Sequence, residues 1–172
     1  LNMARSRPGE RAAVGLNELV RAALDLLQYG LRSHGIQLAL QLDPALPAVY
    51  ADPDQLGQVV LNLIVNAQQA LALVEPPRSL SISSGVETLR PERESRVWLR
   101  VQDSGPGVPT ELRETIFEPF FTTKPEGMGT GLGLAVSRSL VREHGGELQL
   151  EPPRPGQGAC FRISLPDRKS VV

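Results

Sequence analysis

Between Leu16 and Arg32 the apolar residues Leu16, Leu19, Val20, Ala23, Leu24, Leu27 and Leu31 recur at intervals of three and four. That spacing predicts an amphipathic helix, ended by Ser33-His34-Gly35. Directly afterwards Ile36, Leu38, Leu40 and Leu42 alternate with other residues, which predicts a strand. Asp43-Pro44 and Pro47 then make a turn. A second helix is expected from Pro53 to about Val74. Asp52 offers the capping oxygen, Pro53 suits the first helical position and Asp54 complements the positive end of the helix. Glu75-Pro76-Pro77 stops it. Leu80–Val86 and Val97–Val101 read as strands, the second ending at Asp103, with the charged stretch 87–96 as a solvated hairpin tip. Gly, Pro and Thr across 104–130 leave room only for a short helical turn near 110–116. A third helix is expected over Leu132–His144, closed by Gly145-Gly146 with Arg142 and His144 in its last turn. Leu148 and Leu150, then Phe161, Ile163 and Leu165, alternate as a final hairpin around the Pro/Gly turn 152–158. About three helices and about five strands in mixed order give an α+β class, with helices on one face of a mixed sheet.

Composition narrows the chemistry. The 172 residues are 41% hydrophobic and 22% charged, which suits one globular domain with a sizeable core. Lys plus Arg number 18 against 19 Asp plus Glu, so no bulk positive charge is present to hold nucleic acid. One cysteine, Cys160, excludes a disulfide framework, and two histidines are too few for a zinc site. Both fit a reducing compartment, and a cytoplasmic location is expected, with membrane anchoring of a longer parent left open. No apolar run approaches the ~20 residues of a membrane helix. Residues 1–11, with three arginines and a Pro-Gly break, read as the end of an upstream helix and a linker. The opening Leu-Asn-Met suggests a piece of a longer protein.

The second helix carries an unusual polar strip. At 100° per residue Gln55, Gln58, Asn62, Asn66 and Gln69 fall within an arc of roughly 80°. Val59, Leu63 and Ala70 flank it on one side and Leu61 and Val65 on the other, and no charge occurs between Asp54 and Glu75. A solvent-facing side normally uses Lys and Glu. Neutral amides there either satisfy buried backbone groups or face a cavity with polar contents; five on one face favour the cavity.

Two glycine motifs bracket the irregular region. Asp103-Ser104-Gly105-Pro106-Gly107 follows a strand directly. An Asp there, with glycines admitting a ligand to the backbone, can accept a hydrogen bond from an exocyclic amine such as that of adenine; an ordinary Asp-x-Gly turn is the alternative. Gly127-Met128-Gly129-Thr130-Gly131-Leu132-Gly133-Leu134 runs straight into the third helix, where unpaired amides make an anion site. The alternating glycines match neither the dinucleotide fingerprint nor a Walker loop, and a flexible hinge is the competing reading. Between them lies Phe117-Glu118-Pro119-Phe120-Phe121-Thr122-Thr123-Lys124, with three of the four phenylalanines. These suit a mobile lid or a docking point. Lys124 either meets a phosphate or is simply solvated.

Taken in order, QVVLNLIVNAQQAL (58–71), DSGPGVP (103–109), FEPFFTTK (117–124) and GMGTGLGLA (127–135) resemble the N, first glycine, F and second glycine boxes of bacterial two-component sensor histidine kinases. The resemblance is to their catalytic, ATP-binding domain, spans about residues 12–166, and is nearest to the nitrogen-regulation-like subgroup. It implies the Bergerat α/β sandwich shared with gyrase-, heat-shock-90- and mismatch-repair-type ATPases. Residues 1–11 would then end a dimerisation and phosphoacceptor domain, and 167–172 would be a tail. The resemblance implies ATP and Mg²⁺ as cofactors: Asn66 ligates the metal, and Asn62 lines the same site as a catalytic residue with Lys124. Gln69 stands where many sensor kinases place a Lys. Asp103 would bind the adenine amino group in a pocket shaped by Gly105 and Gly107. Gly129, Thr130, Gly131, Leu132 and Gly133 would contact the phosphates, and Phe120, Thr122, Thr123 and Lys124 would belong to the ATP lid.

The same resemblance implies a protein-histidine kinase whose acceptor histidine lies elsewhere. His34 lacks the acidic residue and Pro that follow a phosphoacceptor, and His144 reads as a helix-ending residue. Neutral Asn62 stands where hydrolytic relatives carry a Glu that activates water, which favours transfer over hydrolysis. Expected partners are the dimerisation domain of a homodimeric parent and a response regulator, with no nucleic acid; the isolated domain is expected to be monomeric. A hydrolytic ATPase of the same fold and a nucleotide-binding module without kinase activity are the other readings.

Overall fold

The computed structural model describes residues 10–90, 94–122 and 133–167. Its elements are β1 (Ala12–Val14), α1 (Leu16–Ser33), β2 (Ile36–Gln41), β3 (Val49–Ala51), α2 (Pro53–Leu71), β4 (Arg78–Arg90), β5 (Glu94–Asp103), α3 (Gly133–Glu143), β6 (Glu147–Leu150) and β7 (Cys160–Pro166). Two 3-10 turns, Thr110–Leu112 and Thr115–Phe117, interrupt the long connection before α3. The main sheet runs β2-β4-β5-β7-β6, and β1 pairs with β3 as a separate two-stranded sheet. Only β2 pairs in parallel, against β4; the other neighbours are antiparallel. This is the five-stranded mixed sheet expected.

One face of that sheet carries the core. Leu80 and Ile82 of β4, Val97, Leu99 and Val101 of β5, and Phe161, Ile163 and Leu165 of β7 are buried under the helices. From α2 come Leu56, Val59, Val60, Leu63, Ile64, Ala67 and Leu71. Each fully buried Leu, Ile or Val favours the fold by about 1.5–3 kcal/mol over exposure, so α2 is anchored along its whole length. Asp52 caps it as expected, accepting from the backbone N–H of Asp54 at 2.9 Å and of Gln55 at 3.3 Å. Asp52 also donates its own N–H to Nε2 of His144 at 3.1 Å, while His144 Nδ1 lies 2.7 Å from the Leu140 carbonyl. The imidazole therefore donates from Nδ1 and accepts at Nε2, tying the end of α3 to the start of α2. Near the far edge, Asn17, Ser84 and Asp43 close a buried polar ring: Ser84 Oγ donates to Asn17 Oδ1 at 2.8 Å and Asn17 Nδ2 to the Asp43 carbonyl at 2.7 Å.

Three local expectations change. α2 ends at Leu71, with turns following to Val74. The stretch 87–96 is mostly strand, since β4 and β5 continue to Arg90 and from Glu94. Glu87 and Arg96 lie on the open sheet face, where Glu87 pairs with Arg162 at 2.8 Å across β5. Strands β1 and β3 are additional to the expected set.

Candidate nucleotide-binding site

Asp103 ends β5 with 3% of its surface exposed. Its Oδ1 accepts from the backbone N–H of Gly105 at 2.8 Å and of Ala159 at 3.3 Å. Its N–H donates to the Ala159 carbonyl at 3.0 Å, so the carboxylate is fixed by backbone on two sides. Burial pushes its pKa above the ordinary 3.8, and the two N–H donors pull the other way. Both bonds fall on Oδ1, which leaves Oδ2 as the oxygen to receive a ligand donor.

Glycine is required around this carboxylate. A Cβ on Gly105 would lie 2.9 Å from Asp103 Oδ1 and 3.1 Å from the Ala70 carbonyl. The turn therefore lies directly against the last part of α2. Gly107 has φ +77°, a left-handed conformation that disfavours side chains. Gly158, which closes the opposite side, is not identifiable from the sequence. A Cβ there would come within 2.6 Å of the Asp103 carbonyl and of the Gly105 nitrogen. Read as one residue of a Pro/Gly turn, it carries no local signal of a contact 55 positions away, the separation of 103 and 158.

The amide strip of α2 lines the approach to that turn. Gln55, Asn62, Asn66 and Gln69 are half-buried and Gln58 is exposed, so the strip is neither sealed in hydrocarbon nor fully solvated. Asn62 donates through Nδ2 to Ser137 Oγ on α3 at 3.3 Å. Ser137 is buried and was not expected in the site; a small polar residue in a helix gives no signal of what it faces. Asn66 and Gln69 also have partners in the structure. From Asn62 to Gln69 the helix rises about 10 Å, so the strip connects Ser137 to the Gly105 turn. Gly133 opens α3, exposed, with open space where a Cβ would stand.

Phe120 is 75% exposed with φ 67°, and Thr122 is exposed and partnered. Phe117 instead turns inward, edge-on to Phe161 at 6.2 Å with the Arg138 guanidinium 4.4 Å above its ring. Thr123, Lys124, Gly129, Thr130, Gly131 and Leu132 lie outside the described residues. A separate cavity of about 390 Å³, lined among others by Arg100, Arg113, Arg138 and Arg162, contains none of the expected site residues. The candidate site comprises Asp103, its glycine turn and the α2 amides. Among the described residues no cluster of three or more His, Cys, Asp or Glu could hold a metal ion. No described helix is long and apolar enough to cross a membrane.

A five-stranded mixed sheet under helices, with a carboxylate and glycine turn facing an amide-lined helix, defines a class that sequence comparison identifies. The chain belongs to the histidine kinase-, DNA gyrase B- and HSP90-like ATPase family, whose model matches residues 51–169. It is 40% identical over 156 residues to the sensor histidine kinase ZraS of Klebsiella oxytoca, covering 90% of this chain and 31% of that protein. It is 38% identical over 167 residues to the sensory histidine kinase/phosphatase NtrB of Azospirillum brasilense, covering 93% and 40%. The chain thus spans about a third of the length of ZraS and two-fifths of NtrB. Among solved structures, the catalytic domain of histidine kinase ThkA superposes with TM-score 0.76 at 34% identity, covering 92% of this chain and 98% of that one. ThkA in complex with the response regulator protein TrrA superposes with TM-score 0.75 at 30% identity, covering 95% and 44%.

Proposed function

We propose that this chain is the ATP-binding catalytic domain of a protein-histidine kinase, with the domain proper over residues 12–166. It passes the γ-phosphoryl group to a histidine on a separate dimerisation domain of a homodimeric parent, upstream of a response regulator. The observation that carries transfer over hydrolysis is Asn62. It occupies the amide strip as a hydrogen-bond donor to Ser137, and a carboxamide has no basic site to take a proton from water.

In this reading Asp103 receives the adenine amino group at Oδ2, its position set by Gly105, Ala159 and the close approach of Gly158. Gly105 and Gly107 leave the pocket wall free of side chains. A carboxamide oxygen is a hard donor, and Mg²⁺ commonly takes few protein ligands beside phosphates and water. Asn66, with no acidic cluster among the described residues, fits that donor chemistry. Bound there, the metal would neutralise charge on the triphosphate. Asn62 and Gln69 would orient the phosphates from α2, and backbone N–H groups of Gly129, Thr130, Gly131, Leu132 and Gly133 would receive them at the start of α3. Phe120, Thr122, Thr123 and Lys124 would belong to the lid over the bound nucleotide, with Lys124 meeting a phosphate. The role left to the protein is positioning and charge stabilisation.

The test is to supply the chain with labelled ATP and a separately produced acceptor domain from a sensor kinase of this family. Acid-labile, base-stable label on that domain is expected, with little free phosphate. Steady phosphate release without labelled acceptor would assign the hydrolytic reading instead.

A further inference from the structure

Ser137 lies inside α3 with none of its surface exposed. Alanine would fill such a position with better helix propensity, and a buried hydroxyl costs free energy unless it is hydrogen-bonded. Its one hydrogen-bond partner among the described residues is the Asn62 carboxamide, whose Nδ2 donates to Ser137 Oγ at 3.3 Å. Asn62 in turn makes no other side-chain hydrogen bond among the described residues. Each group depends on the other.

The register of the two helices shows where this bond sits. Asp52 meets His144 and Asn62 meets Ser137, so α2 and α3 run antiparallel. Beyond the bond, α2 continues to Asn66 and α3 leads back to Gly133, four residues in each case. Four residues are about 6 Å of helix, so Asn66 and Gly133 stand at about the same level on the two helices. Four residues also turn a helix by about 400°, which returns Asn66 to within ~40° of Asn62 and Gly133 to within ~40° of Ser137. Asn66 is the residue that would ligate the metal, and Gly133 is one of those that would receive the phosphates.

We infer that Ser137 is a positioning residue for phosphoryl transfer, its hydroxyl holding the Asn62 carboxamide in place one helical turn from Asn66 and from the start of α3. This rests on the nucleotide-binding reading above and extends it to a residue that touches no substrate. With the hydroxyl present, one N–H of Asn62 is committed, and its Oδ1 and second N–H are left for the phosphates. Without it the carboxamide turns about its side-chain bonds, and a displacement of ~1 Å at a reacting centre can cost on the order of 100-fold in rate. The adenine end of the site does not depend on this bond, since Asp103 is set by Gly105 and Ala159. The effect therefore falls on the transfer step and not on ATP binding.

The test is transfer from labelled ATP with Mg²⁺ to the separately produced acceptor domain, comparing the parent, Ser137→Ala, Asn62→Ala and the double variant. Ser137→Ala should lower the maximal rate about tenfold and leave the ATP concentration at half-maximal rate within about twofold, the sign of an interaction realised in the transition state. In the Asn62→Ala background the same substitution should change the rate by less than about twofold, because Ser137 acts through Asn62. Long labelling times keep that slower reaction measurable, and circular dichroism checks that each variant is folded. Three results would overturn the positioning role while the parent still labels the acceptor. These are Ser137→Ala at the parent rate, a raised ATP requirement in place of a lower rate, and the same tenfold loss in the absence of Asn62. A parent that labels no acceptor would overturn the nucleotide-binding reading itself, and this role with it.

Discussion

Asp103 is a buried carboxyl whose charged form burial disfavours, and its removal has opposite effects on stability and on binding. Burial raises its pKa, so the folded chain holds this proton more tightly than the unfolded one. The stability this provides is complete below the ordinary 3.8 and is lost as pH rises through the folded value. Asp103→Asn keeps an oxygen to accept from Gly105 and Ala159 and carries no charge to desolvate. Thermal melting at pH 7 should show the variant at least as stable as the parent. Calorimetry should show ATP affinity reduced on the order of 10- to 100-fold, the value of a hydrogen bond to a charged group. Gly158→Ala should act differently. Its Cβ would overlap the Asp103 carbonyl and the Gly105 nitrogen, so the turn must move. Melting should report a loss of about 1–3 kcal/mol, typical of overpacking, together with weakened ATP binding. Cys160, its thiol pushed up to about 11 chiefly by burial and then by Glu151, stays protonated at neutral pH.

Among the elements, α2 and α3 are joined at two points, by Asn62 with Ser137 and by Asp52 with His144. His144→Ala would strand the Asp52 N–H beside a cap that is 2% exposed. An unsatisfied buried donor costs about 1–3 kcal/mol, a fall in melting temperature on the order of 5 °C for a domain of this size. The three helices were legible because each has one apolar stripe long enough to show its period. Strands β1 and β3 were not. Three residues cannot establish an alternation, and their pairing of Ala12 with Ala51 and Val14 with Val49 is long-range. In sequence the charged ends of β4 and β5 resemble a solvated hairpin tip because one sheet face is open to solvent. On such a face Glu87, Arg96 and Arg162 are ordinary strand residues, and only the register with β7 shows it.

For the molecule as a whole, the fold links residues from four separate stretches of sequence, with Ser137 and Gly105 against α2 and Gly158 against Asp103. Asp103 and Gly105 were legible because an Asp-x-Gly motif ends a predicted strand, and the amide strip because charge is missing from a whole helix. Ser137 and Gly158 were not, since each acts only through a contact made by folding. The proposed site is best tested by titrating ATP into the chain by calorimetry, with and without Mg²⁺, in parallel with Asn66→Ala. The parent should bind ATP, bind it tighter with Mg²⁺, and lose most of that metal dependence in the variant while still binding the base. No heat of binding in the parent, or the same Mg²⁺ dependence in both proteins, would contradict a site built on Asn66 and Asp103.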